Sequence, residues 1–195
     1  MHHLLRKKRL TPATLIIALL IAAWYAYSPG LSQTALNQAS KTQPGLYSID
    51  HFVDGDTLAV SMNGTVEKVR MIGVDTPETH KPNSPVQCYG PAAAAYTKQT
   101  LDGKQIRLEA DPENTNRDRY GRLLRYVYLP DGSLLQYKLL QEGYAFAYVQ
   151  FPFSKKADFV AAQQQAQDQK KGLWANCQPF QEANGRWQTN DAGAS

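Results

Sequence analysis

Alternating hydrophobic and polar residues predict β-strands along the chain after residue 45. The first three alternating segments are separated by Asp54-Gly55 and by Asn63-Gly64. Both dipeptides favour the positive φ angles of hairpin turns, so the three segments are expected to form a meander. Two further segments follow a predicted helix. The predicted strands are 47–53, 56–62, 66–74, 104–110 and 122–129.

Three segments carry helix start and stop signals, namely proline or serine at the start and glycine at the end. In the second of them, Ser133 and Gln136 have the spacing of a capping box. In the third, Ser154 is predicted to cap the helix. The helices begin near Pro91, Ser133 and Ser154 and stop at Asp102-Gly103, Gly143 and Gly172. Five strands with these three helices predict a small closed β-barrel, an α+β fold.

The N-terminal segment has a different pattern from the rest of the chain. Arg6, Lys7, Lys8 and Arg9 precede residues 10–40, which contain no charged side chain. The apolar part ends in aromatic residues that suit a membrane interface. Residues 1–28 are therefore predicted to form an uncleaved membrane anchor, with a cleaved signal peptide as the alternative. Residues 29–44 are predicted to be a flexible linker, and either interpretation places the following domain outside the cytoplasm.

Charge adds a constraint on how nucleic acid can be bound. The 195 residues carry 21 Lys and Arg against 17 Asp and Glu, a formal net charge of +4. The four basic residues before residue 10 account for all of that excess, so the remainder of the chain is neutral. This distribution excludes binding of nucleic acid through an overall positive field, and any attraction must be local or carried by a metal ion.

The sequence contains two cysteines, Cys88 and Cys177. In the oxidising compartment that the N-terminal segment predicts, we expect them to form a disulfide, and two unpaired thiols are the alternative. The folded domain is predicted to span residues 45–177. Residues 178–195 are polar and are predicted to form a loose tail.

Two carboxylates, Asp75 and Glu78, flank a turn at the end of a predicted strand. Pro77 makes the turn rigid and biases Thr76 towards an extended shape, so the two acids can converge. Arg70 lies among apolar residues on the same strand, where an unpaired guanidinium would be costly. It is therefore expected to contact an anion, and a phosphate or a structural salt bridge would serve equally well. Solvated surface acids are the alternative interpretation of the turn.

Asp56 begins the second predicted strand, where aspartate is disfavoured unless something uses it. A cation ligand and a strand-edge carboxylate are both compatible with it. For Asp54 the hairpin turn is a sufficient explanation.

The segment 117–122 contains three arginines, which a solvated basic loop would also explain. Gly121 allows a tight turn that directs Arg122 back, as a second phosphate-binding residue with Tyr120 as a donor beside it. Tyr148 is a candidate for stacking on a base, although core packing explains it as well. Acids that can hold a hard cation, with arginines that can bind phosphate, predict metal-assisted phosphodiester cleavage.

Together these motifs resemble the staphylococcal (micrococcal) nuclease family, also called thermonuclease-like domains. The similarity extends from about Gly45 to Trp174, and the motifs follow one another in the order of the family with similar gaps. The matching residues are Asp54–Thr57, Arg70, Val74–Thr79, Tyr89-Gly90-Pro91, Asp118, Tyr120–Arg122 and Gly172-Leu173-Trp174.

The resemblance implies an OB-fold barrel and calcium-dependent hydrolysis of DNA and RNA. Matched by position, Asp56 and Asp75 are similar to the calcium ligands of the family, with the carbonyl of Thr76 as a third. Glu78 is similar to the residue that positions or deprotonates the attacking water. Another divalent cation in place of calcium stays open.

The resemblance also implies how the substrate is bound. Arg70 and Arg122 are similar to the pair that binds the phosphate and stabilises its transition state. Tyr120 and Tyr148 are similar to the nucleotide-binding tyrosines.

The sequence thus predicts a monomeric calcium-dependent endonuclease that acts on DNA, RNA or both, either membrane-anchored or secreted. The main alternative is a non-catalytic OB-fold module of the cell envelope that binds nucleic acid or protein.

Overall fold

The structure, a computed structural model, describes residues 45–79 and 85–193. The predicted anchor, 1–28, and the predicted linker, 29–44, lie outside these residues. Within the two described ranges, every helix is too short or too polar to cross a lipid bilayer.

The predicted strands and helices occur in the predicted order. The strands are β1 Leu46–Phe52, β2 Thr57–Met62, β3 Thr65–Met71, β4 Val74–Asp75, β5 Gln105–Glu109, β6 Leu123–Tyr128, β7 Phe146–Ala147, β8 Phe180–Gln181 and β9 Trp187–Gln188. The helices are α1 Gly90–Leu101, α2 Leu135–Gln141, α3 Lys156–Asp168 and α4 Leu173–Asn176. Within the described residues, four short strands, β4 and β7–β9, and a fourth helix, α4, are added to those predicted.

Five of the strands close into a barrel in the order β1-β2-β3-β6-β5. All neighbours in the barrel are antiparallel except β3 and β6, which pair in parallel. Inward side chains from several strands, including Leu58, Val60 and Leu108, are completely buried. The predicted five-stranded barrel with helices is confirmed, and its shape fits an OB-fold.

The third predicted strand, 66–74, is interrupted after Met71. Gly73 has a φ of +73°, and a Cβ there would lie 2.7 Å from the ring of Phe153 and 2.9 Å from that of Phe159. Only glycine satisfies both constraints. The chain therefore turns at this point, and β4 leaves the barrel to pair with β7.

Two predicted helix caps are wrong because a buried hydrogen bond uses the side chain elsewhere. Gln136 is completely buried and bonds the backbone of β6, accepting from the Val127 amide and donating to the Arg125 carbonyl. The hydroxyl of Ser154 donates to buried Asp111 at 2.6 Å. Neither α2 nor α3 has a side-chain cap.

The predicted loose tail after Cys177 is also wrong. Strands β8 and β9 form an antiparallel hairpin. Trp187 packs between Phe146, at 6.1 Å between ring centroids, and Trp174, at 5.2 Å. These aromatic contacts attach the C-terminal hairpin to the body of the domain.

The predicted disulfide is confirmed, with Cys88 bonded to Cys177. The residues that follow the C-terminal hairpin run beside Cys88, whose amide donates to the carbonyl of Asn190 at 2.8 Å. The bridge therefore joins the start of α1 to the root of the C-terminal hairpin.

Replacing both cysteines by serine should lower the free energy of unfolding by about 2–5 kcal/mol, because the bridge closes a loop of 89 residues. Urea unfolding of the oxidised protein and of the double variant would measure the difference. Adding reductant should destabilise the wild type and leave the variant unchanged. Equal stability of the two proteins without reductant would contradict the prediction.

Candidate active site

The turn that carries the predicted acids is fixed by two close backbone approaches. A Cβ on Gly55 would lie 2.8 Å from the hydroxyl of Thr76, and one on Gly90 would lie 2.8 Å from the carbonyl of Glu78. The two glycines thus let the β1–β2 turn and the start of α1 press against residues 76–78. The hydroxyl of Thr97 in α1 also donates a hydrogen bond to the carbonyl of Gly55 at 2.6 Å.

The first acid of the site lies in the β1–β2 turn. Asp54 accepts a bond from the amide of Asp56 at 3.0 Å, which confirms its predicted role in the turn. Asp56 accepts from the Thr76 amide at 2.9 Å. This bond joins the β1–β2 turn to the 75–78 turn and brings Asp56 and Asp75 into one site.

Arg70 lies between the two acids. Its Nε is 3.1 Å from Asp56 Oδ1 and its Nη2 is 3.0 Å from Asp75 Oδ1. Its Nη1 donates to the carbonyls of Met71 and Val74 at 2.8 and 2.7 Å. The structural salt bridge anticipated from the sequence is therefore present, and these contacts use four of the five N–H groups of the guanidinium.

The acids of the site are largely buried, and burial is the main cause of their pKa shifts. Burial and then the charge of Asp56 raise the pKa of Asp54 to about 7. Burial likewise raises the pKa of Asp75, although Arg70 opposes the effect. Burial acts to lower the pKa of Arg70, but Asp56 and Asp75 outweigh it and the net shift is upward. The acids thus hold Arg70 in its charged form.

The loop 117–122 is organised by Asp118. Its carboxylate accepts from the amides of Tyr120 and Arg122 at 2.9 and 3.0 Å and from the Nε of Arg122 at 2.7 Å. Burial acts to raise the pKa of Asp118, but the bonds from Arg122 and the Tyr120 amide lower it overall. Gly121 has a φ of +79°, as the predicted tight turn requires. Asp118 therefore sets the direction of the Arg122 side chain.

The two predicted phosphate-binding arginines are connected through one hydroxyl group. Arg122 Nη1 is 3.5 Å from Thr57 Oγ1, which donates to Asp56 Oδ1 at 3.0 Å. Asp56 in turn contacts Arg70. The guanidinium of Arg122 also lies 5.4 Å from the ring centroid of Tyr120.

The acids of the two turns and of the 117–122 loop, together with Arg70 and Arg122, line one cavity of about 1040 Å³. Its lining includes eight residues singled out in the sequence, namely Asp56, Arg70, Asp75, Thr76, Glu78, Tyr120, Arg122 and Tyr148. The acids and the guanidiniums therefore share a site rather than lying on separate surfaces.

Glu78 is held in this cavity through its own backbone. Its amide donates to Gln87 Oε1 at 2.7 Å, and its carbonyl accepts from the Gln87 amide at 2.9 Å. One carboxylate oxygen accepts from the amide of Thr79 at 2.9 Å. The position of this side chain thus depends on Gln87, just before α1.

The donor set fits a hard divalent cation. Asp56 and Asp75 are carboxylates with side chains only 7% and 13% exposed. Burial, and then the charge of Asp56, raises the pKa of Asp54, and burial also raises the pKa of Asp75, so a bound cation would stabilise their charged forms. Within the described residues, no three acidic, His or Cys side chains form a complete cage. The carbonyl of Thr76 and further oxygens from water or substrate would have to complete the coordination.

The charged residue that the C-terminal hairpin contributes to the cavity was missed in the sequence. Arg186, from the C-terminal hairpin, contacts Asp75 Oδ2 through Nη2 at 2.8 Å. Asn184-Gly185 is a hairpin dipeptide like Asn63-Gly64, and it is the signal that predicts this turn. Because residues 178–195 are polar, they were predicted to form a loose tail instead of a hairpin.

The sequence is similar to a known protein family and to individual known proteins. Residues 68–176 match the protein family described as Staphylococcal nuclease homologue. The chain is 45% identical to the Thermonuclease of Staphylococcus hyicus over 131 residues, 67% of this chain and 76% of that protein. It is 38% identical to the Thermonuclease of Staphylococcus intermedius over 169 residues, 86% of this chain and 98% of that protein. It is 44% identical to Endonuclease YncB of Bacillus subtilis (strain 168) over 147 residues, 73% of this chain and 69% of that protein.

Proposed function

The chain belongs to the family of staphylococcal nuclease homologues, and from this membership and the geometry of the cavity we propose that it is a calcium-dependent nuclease. It hydrolyses phosphodiester bonds of DNA, RNA or both. The observation that carries the proposal is the single cavity in which Asp56, Asp75 and Glu78 meet Arg70 and Arg122.

Arg122 has the geometry of a phosphate-binding residue. Its Nε is used by Asp118, while its terminal nitrogens make no hydrogen bond shorter than 3.5 Å within the described residues. A planar guanidinium fixed at one nitrogen can present the others to two phosphate oxygens. Arg70 has one N–H left after its internal bonds, so its main contribution is to fix Asp56 and Asp75.

Glu78 serves as the base that orients or deprotonates water. Its carboxylate lines the same cavity as Arg122, and its backbone is fixed on both sides by Gln87. A cation on Asp56, Asp75 and the Thr76 carbonyl would neutralise phosphate charge so that an anionic nucleophile can approach. A module that only binds nucleic acid would have no use for Glu78.

The disulfide supports a location outside the cytoplasm, because such bonds persist in oxidising compartments. We propose that the domain acts there, anchored through residues 1–28 or released after their cleavage. The monomeric state stays a prediction.

Calcium should accelerate cleavage of single- and double-stranded DNA and of RNA by at least about a hundredfold over the rate in excess chelator. Gel assays of the purified protein on each substrate, with chelator and with calcium restored, would measure this. Circular dichroism in chelator should show an intact fold. Full activity in chelator would remove the cation from the mechanism, and no cleavage under any condition would refute the proposed function.

A further inference from the structure

The C-terminal hairpin brings Arg186 to the cavity, and this residue lies beyond residues 68–176, which match the family. The C-terminal hairpin is held by the packing of Trp187 and by a bond of 3.2 Å between the side chains of Gln188 and Gln87. Gln87 also fixes the backbone of Glu78. The position of the hairpin is thus tied directly to the wall of the site.

Arg186 contacts Asp75 through one edge of its guanidinium, formed by Nε and Nη2. Its Nε and Nη2 both contact Asp75 Oδ2, at 2.9 and 2.8 Å, while Asp75 Oδ1 is taken by Arg70. Two of its five N–H groups are used in this way, and three remain. Its side chain is 37% exposed, compared with 13% for Arg70. Of these two arginines, Arg186 has more donors to offer a ligand.

The contacts of the site form one continuous series, with an arginine and a tyrosine at each end. At one end Arg122 lies beside Tyr120, and at the other Arg186 lies 5.8 Å from the ring centroid of Tyr148. Between them the series runs through Thr57, Asp56, Arg70 and Asp75. An arginine beside an aromatic ring offers a phosphate donor and a stacking face for a base.

We propose that Arg186 binds a phosphodiester of the substrate strand next to the one that is cleaved. The inference rests on the proposed function. Arg186 is then a substrate-positioning residue, whose loss weakens binding without removing the groups that act on the scissile phosphate.

Replacing Arg186 by alanine in the full chain should raise the KM for a DNA oligonucleotide about 10- to 100-fold, because a charge-assisted hydrogen bond is lost. The kcat should change no more than about threefold. Arg186→Lys should recover part of the loss, since it keeps the charge but not the planar fork.

A binding measurement provides a readout that does not depend on turnover. In a Glu78→Gln background, in which cleavage is slow, the salt dependence of oligonucleotide binding should become shallower by about 0.7–0.9 in log–log slope when Arg186 is replaced, as expected for one lost phosphate contact. A merely structural residue would not change this slope.

Arg107→Ala is a matched control. Arg107 is also paired with a carboxylate, that of Glu109 at 2.7 Å, and lies over a tyrosine ring, that of Tyr128 at 4.0 Å, but it is not part of the cavity lining. Its replacement removes the same charge and should leave KM and the salt slope unchanged.

Three results would overturn the inference. An unchanged KM and slope with a lower melting temperature would show that Arg186 only attaches the C-terminal hairpin. A lower KM, or tighter calcium binding with an unchanged slope, would show that it competes for Asp75. A wild type that neither binds nor cleaves nucleic acid would refute the proposed function itself, which is a distinguishable failure.

Discussion

Replacing Arg122 by alanine should lower kcat by about 10³- to 10⁵-fold, by comparison with other arginines that stabilise the transition state of phosphoryl transfer. The structure supports so large a loss because Arg122 is held by Asp118 at 2.7 Å and reaches Thr57, beside the acids, with its terminal nitrogen. Charge spreads over the equatorial oxygens as the phosphate reacts, and a positioned guanidinium is worth most at that stage. Single-turnover rates at saturating substrate would measure the effect.

Arg122→Lys separates charge from geometry. Lysine keeps the charge but cannot present two parallel donors, so most of the loss should persist. Asp118→Asn should give a smaller loss, because the arginine would remain but its direction would be less well fixed. If Arg122→Ala retained more than about a tenth of the wild-type kcat, Arg122 would not be a transition-state residue.

The barrel was predictable because its signals are local. Asn63-Gly64 has the positive φ angles of the predicted hairpin turn, and Asp54 accepts the bond that holds the turn between β1 and β2. The interruption at Gly73 was not predictable, since it depends on Phe153 and Phe159, about 80 residues further along the chain. Local patterns in the sequence do not predict contacts between residues so far apart in the chain.

The predictions of the helix caps were wrong for the same reason, namely contacts with residues distant in the sequence. Ser154 has the right residue type for a cap, but its hydroxyl is used by Asp111, 43 residues away. A partner distant in the sequence therefore sets the direction of this hydroxyl, and its oxygen accepts no capping bond from the first turn of α3.

The residues of the site also divide into those that local sequence signals predict and those that depend on distant contacts. The proximity of Asp56 and Arg70 follows from the strand order, because Thr57 of β2 pairs with Arg70 of β3, and Asp75 follows Arg70 by 5 residues. Arg186 reaches Asp75 from 111 residues away, through a C-terminal hairpin attached by aromatic packing and a disulfide. The sequence offered Asn184-Gly185 as a signal for the turn, but nothing local indicated where that turn would dock.

Replacing Glu78 by glutamine should slow cleavage by about 10²- to 10⁴-fold, the usual contribution of a positioned general base. The substitution preserves shape and keeps a side-chain oxygen that can accept from the Thr79 amide. The bonds between the Glu78 backbone and Gln87 do not involve its carboxylate. Folding and oligonucleotide binding should therefore be retained while kcat falls. Stopped-flow cleavage would measure kcat, a melting curve would measure folding, and an oligonucleotide titration would measure binding.

Glu113→Gln is the matched control for this prediction, because Glu113 is another carboxylate on the lining of the same cavity. It is solvent-exposed and lies outside the series of contacts that joins the two arginine–tyrosine ends. The same chemical change there removes one negative charge from the cavity but no base, so the rate should change only a few-fold. A similar loss in both variants would show that overall charge sets the rate. Near-normal turnover of Glu78→Gln would instead assign activation of water to another group.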